Sequence, residues 1–306
     1  LMNRILITGA LGQLGVEFIK YFKKLNLFVL ATDIRECKKD ISCEFIQCDV
    51  LEKNKISDLV KKNKIDTIFH LVATLSAKGE EDPFKSWKLN IDSLQTIIKI
   101  CIKNKIKNVF WPSSIAVFGT DSQLENVPQN PILNPSSIYG ITKLAGEKLI
   151  EYYNQKFSLD IRSLRYPGII SMSSKPGGGT TDYVMEMIDS AKNKKKYRCF
   201  LSKKTELPMM LIDDAIQSAY QLMSAKKSCL SVSSSYNISS FSITPEILKK
   251  QILLNGFEID VEFRPDFRQQ IANSWPKKIS DIKAKSDWGW KAKYNLEESI
   301  RKSLNF

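Results

Sequence analysis

Short apolar runs alternate with amphipathic stretches through the first half of the chain. Residues 4–8, Arg4-Ile5-Leu6-Ile7-Thr8, are an apolar run ending at glycine, the pattern of a buried strand; residues 16–25 then set Phe18, Ile19, Phe22 and Leu25 at helical spacing. Further strands are predicted at 27–31, 44–47, 67–72, 108–111 and 160–165. Helices are predicted over 56–62, over 87–105 through Leu94, Ile97, Ile98 and Cys101, and over 137–157, after a Pro-, Asn- and Ser-rich loop at 119–137. Such regular alternation predicts an α/β fold with a doubly wound parallel sheet. Parallel strands need crossovers, and each crossover helix buries its apolar stripe on the sheet.

The pattern changes after Tyr166-Pro167-Gly168. Residues 171–181 are rich in Ser, Gly and Pro, a loop signature, and the elements beyond are irregular. A helix is expected over 183–191, strands around Cys199-Phe200 and at 236–238, and a helix over 245–254; aromatics and prolines crowd 263–290. The 306 residues therefore divide into a first domain, 1–166, and a smaller C-terminal α/β lobe, 167–306, with some segments returning to the first sheet.

Composition narrows the function. Apolar residues make up 43% and charged residues 26%, as in ordinary globular proteins, and no apolar stretch approaches the roughly 18 residues of a membrane helix. The opening Leu1-Met2-Asn3-Arg4-Ile5-Leu6-Ile7 lacks the order of a signal peptide, so a soluble cytoplasmic protein is expected, or a mitochondrial one if a leader was removed. One histidine, His70, excludes a His-rich metal centre, and six cysteines without a C-x-x-C pair give neither zinc spacing nor a disulfide framework. No metal is expected. The net charge of +13 raises the question of nucleic acid, yet the lysines are scattered. Only Lys192-Asn193-Lys194-Lys195-Lys196 clusters, with no aromatic residue interleaved, which reads as a solvated face. Neither nucleic acid nor membrane is expected as a partner.

Two motifs carry chemistry. Gly9-Ala10-Leu11-Gly12-Gln13-Leu14-Gly15 joins the first strand to the first helix, where glycines permit a tight turn and helix N–H groups can meet a pyrophosphate. Asp33 follows the second strand, 18 residues beyond Gly15, where a carboxylate can accept the adenosine ribose hydroxyls and repel a 2′-phosphate. NAD is therefore expected over NADP, with Arg35 as the competing influence. In Tyr139-Gly140-Ile141-Thr142-Lys143, the spacing puts hydroxyl and ammonium on one helix face. The nearby cation should draw the tyrosine from about 10 toward neutrality and make it a general base. Ser114, 25 residues upstream, follows a strand and should converge on the same sheet edge.

Together these residues resemble the extended short-chain dehydrogenase/reductase superfamily along essentially the whole chain. Within it the chain is most similar to the epimerase-like L-threonine 3-dehydrogenases. The specific segments are His70-Leu71-Val72-Ala73-Thr74-Leu75-Ser76-Ala77, residues 111–119, Arg165-Tyr166-Pro167-Gly168, Pro176-Gly177-Gly178-Gly179-Thr180-Thr181-Asp182-Tyr183, Leu207-Pro208-Met209-Met210 and Ser274-Trp275-Pro276. The resemblance implies a Rossmann domain that binds NAD and a lobe that binds substrate. Gly9, Ala10, Gly12, Gln13 and Leu14 would hold the pyrophosphate, Asp33, Ile34 and Arg35 the adenosine ribose, and Asp49 and Val50 the adenine. Tyr139 and Lys143 would meet the nicotinamide ribose, with Ile169 beside them. Ser114, Tyr139 and Lys143 would be catalytic; Ser76, Ser114, Tyr139, Thr180, Thr181 and Trp275 would contact L-threonine. The implied reaction is NAD-dependent oxidation of L-threonine at C3 to 2-amino-3-oxobutanoate, toward glycine, in a homodimer formed by the helices around Leu94 and Lys148. A nucleotide-sugar epimerase or dehydratase would share Ser, Tyr and Lys but needs a roomier lobe; a non-catalytic NAD-sensing protein is the other rival. His70, on a central strand, reads as structural.

Overall fold

The computed structural model describes residues 2–38, 40–122, 125–173 and 176–306; two positions of the predicted 171–181 loop, 174 and 175, lie outside the described residues. The first half runs β1 (Arg4–Thr8), α1 (Gln13–Lys24), β2 (Phe28–Asp33), β3 (Glu44–Gln47), α2 (Lys53–Lys62), β4 (Thr67–His70), α3 (Ser76–Glu81) and α4 (Pro83–Trp87). It continues with α5 (Ser93–Asn104), β5 (Asn108–Phe110), β6 (Ser113–Ser114), α6 (Ile138–Phe157) and β7 (Asp160–Tyr166). The second half comprises β8 (Gly168–Ile170), α7 (Tyr183–Lys192), β9 (Tyr197–Cys199), β10 (Leu207–Leu211), α8 (Ile212–Ser224), β11 (Ser235–Asn237) and β12 (Phe241–Ile243). It ends with α9 (Pro245–Leu254), β13 (Val261–Phe263), α10 (Arg268–Asn273), α11 (Ile282–Trp288) and α12 (Leu296–Leu304).

The main sheet has the order β3-β2-β1-β4-β5-β7-β11, parallel throughout, with β6 also paired to β7. Chain order reverses between β1 and β4, so the loops after these strands part and leave a crevice at the carboxyl edge. Both faces are covered. Ile5 and Ile7 pack with Phe18, Ile19 and Phe22 of α1 and Ala215, Ile216, Ala219 and Leu222 of α8. Leu6 points the other way, into Ile56, Val60, Leu94, Ile97, Ile98 and Ile150 of α2, α5 and α6. A strand apolar on both faces is what a doubly covered parallel sheet requires.

The structure departs from the sequence pattern in several places. The helix expected over 87–105 is broken by a π-helical turn, Lys88–Asp92, between α4 and α5. Its wider turn brings Asn90 inside, where the side chain accepts from Thr74 N–H at 2.8 Å and donates to Thr142 Oγ1 at 2.9 Å. The strand at 67–72 stops at His70, although Leu71 N–H still donates to Thr8 O at 3.0 Å. The α8 helix, absent from the predicted elements, packs its apolar face on the main sheet beside α1. In the smaller lobe, β10 pairs with β8 in parallel and with β12 antiparallel, and β9 pairs with β13. Its core joins α7, α9 and α12 through Tyr183, Ile188, Leu248, Ile252 and Ile300, with Trp275 among them. Among the described residues no helix is long and apolar enough to cross a membrane.

Candidate active site

An open cleft with a cavity of about 140 Å³ lies at the carboxyl edge, between the main sheet and the second lobe. Gln13 and Leu14 of α1 line it with Ser114, Tyr139 and Lys143; Ile169, Thr180, Thr181 and Trp275 come from the second lobe, and Ser76 from α3. Every residue predicted to be catalytic or to touch substrate thus borders one cavity. Gly9, Ala10, Gly12, Asp33, Ile34, Arg35, Asp49 and Val50 do not line it. They stand farther along the same edge, at and after the ends of β1, β2 and β3.

The glycine loop is closed by its own backbone. Gly9 has φ +71°, and a Cβ on Gly15 would lie 2.5 Å from Ala10 O. Ala10 N–H donates to Thr32 O at 3.0 Å and Leu11 N–H to the Asp33 carboxylate at 3.0 Å, which ties the loop to β2. The α1 helix starts at Gly12 with neither a capping side chain nor an acid in its first turn, so its N–H groups and dipole stay directed at the edge. Asp33 itself differs from expectation. Its carboxylate, 5% exposed, is held by Arg35 through Nε and Nη2, both at 2.9 Å, and through the Arg35 backbone N–H at 3.1 Å. Burial acts to raise its pKa, but the Arg35 and Leu11 donors outweigh that and keep it below the ordinary value. Ile34 is exposed, Val50 is buried, and Asp49 accepts from Leu51 N–H at 2.9 Å.

At the centre, Lys143 is almost fully buried and donates from Nζ to Pro112 O at 2.6 Å. Its Nζ lies 4.2 Å from the Trp111 ring centroid and 5.7 Å from that of Tyr139. The expected fall of the tyrosine toward neutrality does not occur in this cleft. Burial pushes Tyr139 up to about 12, with a hydrogen bond from Ser114 acting the other way. Burial also brings Lys143 down to about 7, against the pull of Glu147. Spacing alone omits desolvation, which penalises each charge separately.

The glycine-rich loop is clamped onto α3. Ala77 N–H donates to Gly178 O at 3.2 Å, Thr180 N–H donates to Ser76 Oγ at 3.1 Å, and the Ser76 and Thr180 hydroxyls lie 3.0 Å apart. Asp182, which the sequence reading left out of the site, accepts from Gly178 N–H at 2.9 Å and Gly179 N–H at 2.8 Å and lines the cleft. Its place directly after Thr180-Thr181 was the available signal. His70 is buried, with Nδ1 2.7 Å from Thr8 Oγ1 and Nε2 3.0 Å from Ser93 Oγ; burial brings it down to about 3. It is neutral at pH 7 and does not line the cleft.

A model of the NAD dependent epimerase/dehydratase family matches residues 5–239. Over 309 residues the chain is 39% identical to the mitochondrial L-threonine 3-dehydrogenase of Bos taurus, a match covering 99% of this chain and 82% of that protein. Among solved structures it is similar to the holo form of a GalE-like L-threonine dehydrogenase from Cupriavidus necator, with TM-score 0.95, 36% identity and 99% of each chain covered. A monomeric L-threonine 3-dehydrogenase from a metagenome, in apo form, also has TM-score 0.95, at 40% identity over 98% of this chain and 97% of that one.

Proposed function

We propose that this chain, which belongs to the NAD dependent epimerase/dehydratase family, is an NAD-dependent oxidoreductase that converts L-threonine to 2-amino-3-oxobutanoate, a step toward glycine. The observation that carries the reading is the meeting of Ser114, Tyr139 and Lys143 with Thr180, Thr181 and Trp275 around one cleft. In this reading residues 1–166 hold the cofactor and 167–306 select the substrate.

The residues present fit a dinucleotide. The tight Gly9–Gly15 turn and the uncapped start of α1 suit a pyrophosphate held by Gly9, Ala10, Gly12, Gln13 and Leu14. Asp33, Ile34 and Arg35 would take the adenosine ribose, Asp49 and Val50 the adenine, and Ile169, Tyr139 and Lys143 the nicotinamide end. NAD supplies the hydride acceptor when bound. Tyr139 takes the proton of the C3 hydroxyl, and Ser114 donates a hydrogen bond to the reacting oxygen. Lys143 holds the ribose and, in its ammonium form, draws the Tyr139 phenol toward phenolate. Ser76, Thr180, Thr181 and Trp275 hold the amino acid's charged ends against the reacting trio.

Purified protein with NAD and L-threonine should form NADH, followed by its absorbance, and UDP-glucose should not be converted. Faster conversion of UDP-glucose would make the chain a nucleotide-sugar enzyme, and NAD binding without turnover of either would make it a binding protein. We further propose a homodimer through α5 and α6, which leave Ile102, Ile141, Tyr152 and Phe157 exposed. Light scattering that gives a monomer mass, as the metagenomic relative's name implies for that protein, would refute it.

A further inference from the structure

Four residues past Lys143 on α6, Glu147 is 1% exposed and does not line the cleft. Both of its carboxylate oxygens are engaged. Oε1 accepts from the Ser113 hydroxyl at 2.6 Å and from Arg165 Nε at 2.9 Å, and Oε2 accepts from Arg165 Nη2 at 2.7 Å. The guanidinium is fixed in turn, since Nη1 donates to Gln129 O at 2.8 Å and to Asn237 Oδ1 at 3.1 Å. Ser113 immediately precedes Ser114 on β6 and sits opposite Arg165 in the pairing with β7. One turn earlier on α6, Lys143 Nζ reaches Pro112 O. Successive residues of the segment before Ser114 are therefore fastened to successive turns of the helix that carries Tyr139. Gly146 lets the Trp111 indole lie against that helix, because a Cβ there would overlap the ring.

A buried ion pair is by itself a poor stabiliser, since desolvating two charges costs about what their attraction returns, and apolar residues of the same volume serve as well. An apolar pair, however, could not accept the Ser113 hydroxyl in a fixed direction. We propose that Glu147, braced by Arg165, is a positioning residue that aligns Ser114 with the Tyr139–Lys143 helix through Ser113. The inference rests on reading Ser114, Tyr139 and Lys143 as the reacting trio.

Ser113→Ala removes the link and leaves the Glu147–Arg165 pair whole, so the fold should persist. Its kcat with threonine should fall roughly ten- to hundredfold while KM and the NAD Kd stay within about twofold, because misplacement touches the chemical step and not binding. Crystal structures of both proteins should show a wider separation between Ser114 Oγ and the Tyr139 hydroxyl in the variant. In a cycle with Glu147→Gln, the double variant should lose no more kcat than the worse single variant, since both act through one link. Wild-type kcat in Ser113→Ala with Ser114 unmoved, or additive losses in the cycle, would overturn the proposal. Should Glu147→Gln fail to fold, Ser113→Ala still decides. If the wild-type protein forms no NADH from threonine, the functional reading fails, and the two crystal structures alone judge the alignment.

Discussion

Burial holds the Tyr139 hydroxyl near 12, so it keeps its proton at neutral pH, while burial holds Lys143 near 7. Tyr139→Phe removes the proposed base without touching the glycine loop. It should lower kcat by more than tenfold, a barrier change above about 1.4 kcal/mol, with the NAD Kd nearly unchanged. Retained turnover would remove Tyr139 from the mechanism. His70 offers a pH test of stability. Its folded value of about 3 lies below the ordinary value of 6.5, so between these the unfolded chain binds more protons and stability falls as pH falls. Urea unfolding from pH 7 down to pH 4 should show wild-type protein losing more stability than His70→Gln, by on the order of a few kcal/mol. Parallel losses would mean that His70 does not contribute to acid unfolding.

At the scale of elements, the proposed function makes the end of β2 the place that selects between dinucleotides. Asp33 is placed to repel a 2′-phosphate, but Arg35 covers it with two side-chain N–H groups while keeping its own side chain 58% exposed. The carboxylate is buried at the strand end and the guanidinium can swing outward, so the fixed negative charge should dominate. NAD should therefore have much the higher kcat/KM, and Arg35→Ala should widen its lead over NADP. Comparable values for the two cofactors in wild-type protein would show that Arg35 governs the pocket. The π-helical turn before α5 works similarly on the other side of the cleft, since Asn90 ties Thr74 to Thr142, and Thr142 Oγ1 donates to Tyr139 O at 2.8 Å.

Across the whole molecule, the residues proposed for reaction and those proposed for selection come from different parts of the chain. Ser114, Tyr139 and Lys143 belong to the sheet edge, whereas Thr180, Thr181 and Trp275 arrive from the second half. Thr181→Ala and Trp275→Ala should weaken threonine use while leaving the NAD Kd almost unchanged. A site built to hydrogen-bond a small zwitterion loses heavily when one end is missing, because its own polar groups are left unpaired. 2-Butanol should then be inert and 3-hydroxybutanoate poor, and serine, lacking only the methyl group, should lose about 1–3 kcal/mol of transition-state binding. Unaltered threonine kinetics in both variants would remove the lobe from substrate selection.

Features set by neighbours in the chain were legible beforehand. The alternating periods, the glycine turn after β1, Asp33 after β2 and the Tyr139–Lys143 spacing each follow from backbone geometry within a few residues. Other strands of the lobe were not, because three-residue runs such as Phe241–Ile243 and Val261–Phe263 are too brief to show a period. Charge states and long-range partners were decided only by the fold. Burial raises Tyr139 where spacing predicted a fall, burial lowers Lys143, and Arg35 turns back onto Asp33. Ser76 meets Thr180 across 104 residues, and Ser113 meets Glu147 across 34. Such contacts depend on desolvation and on which strands lie side by side, and neither is written into the spacing of residues along a chain.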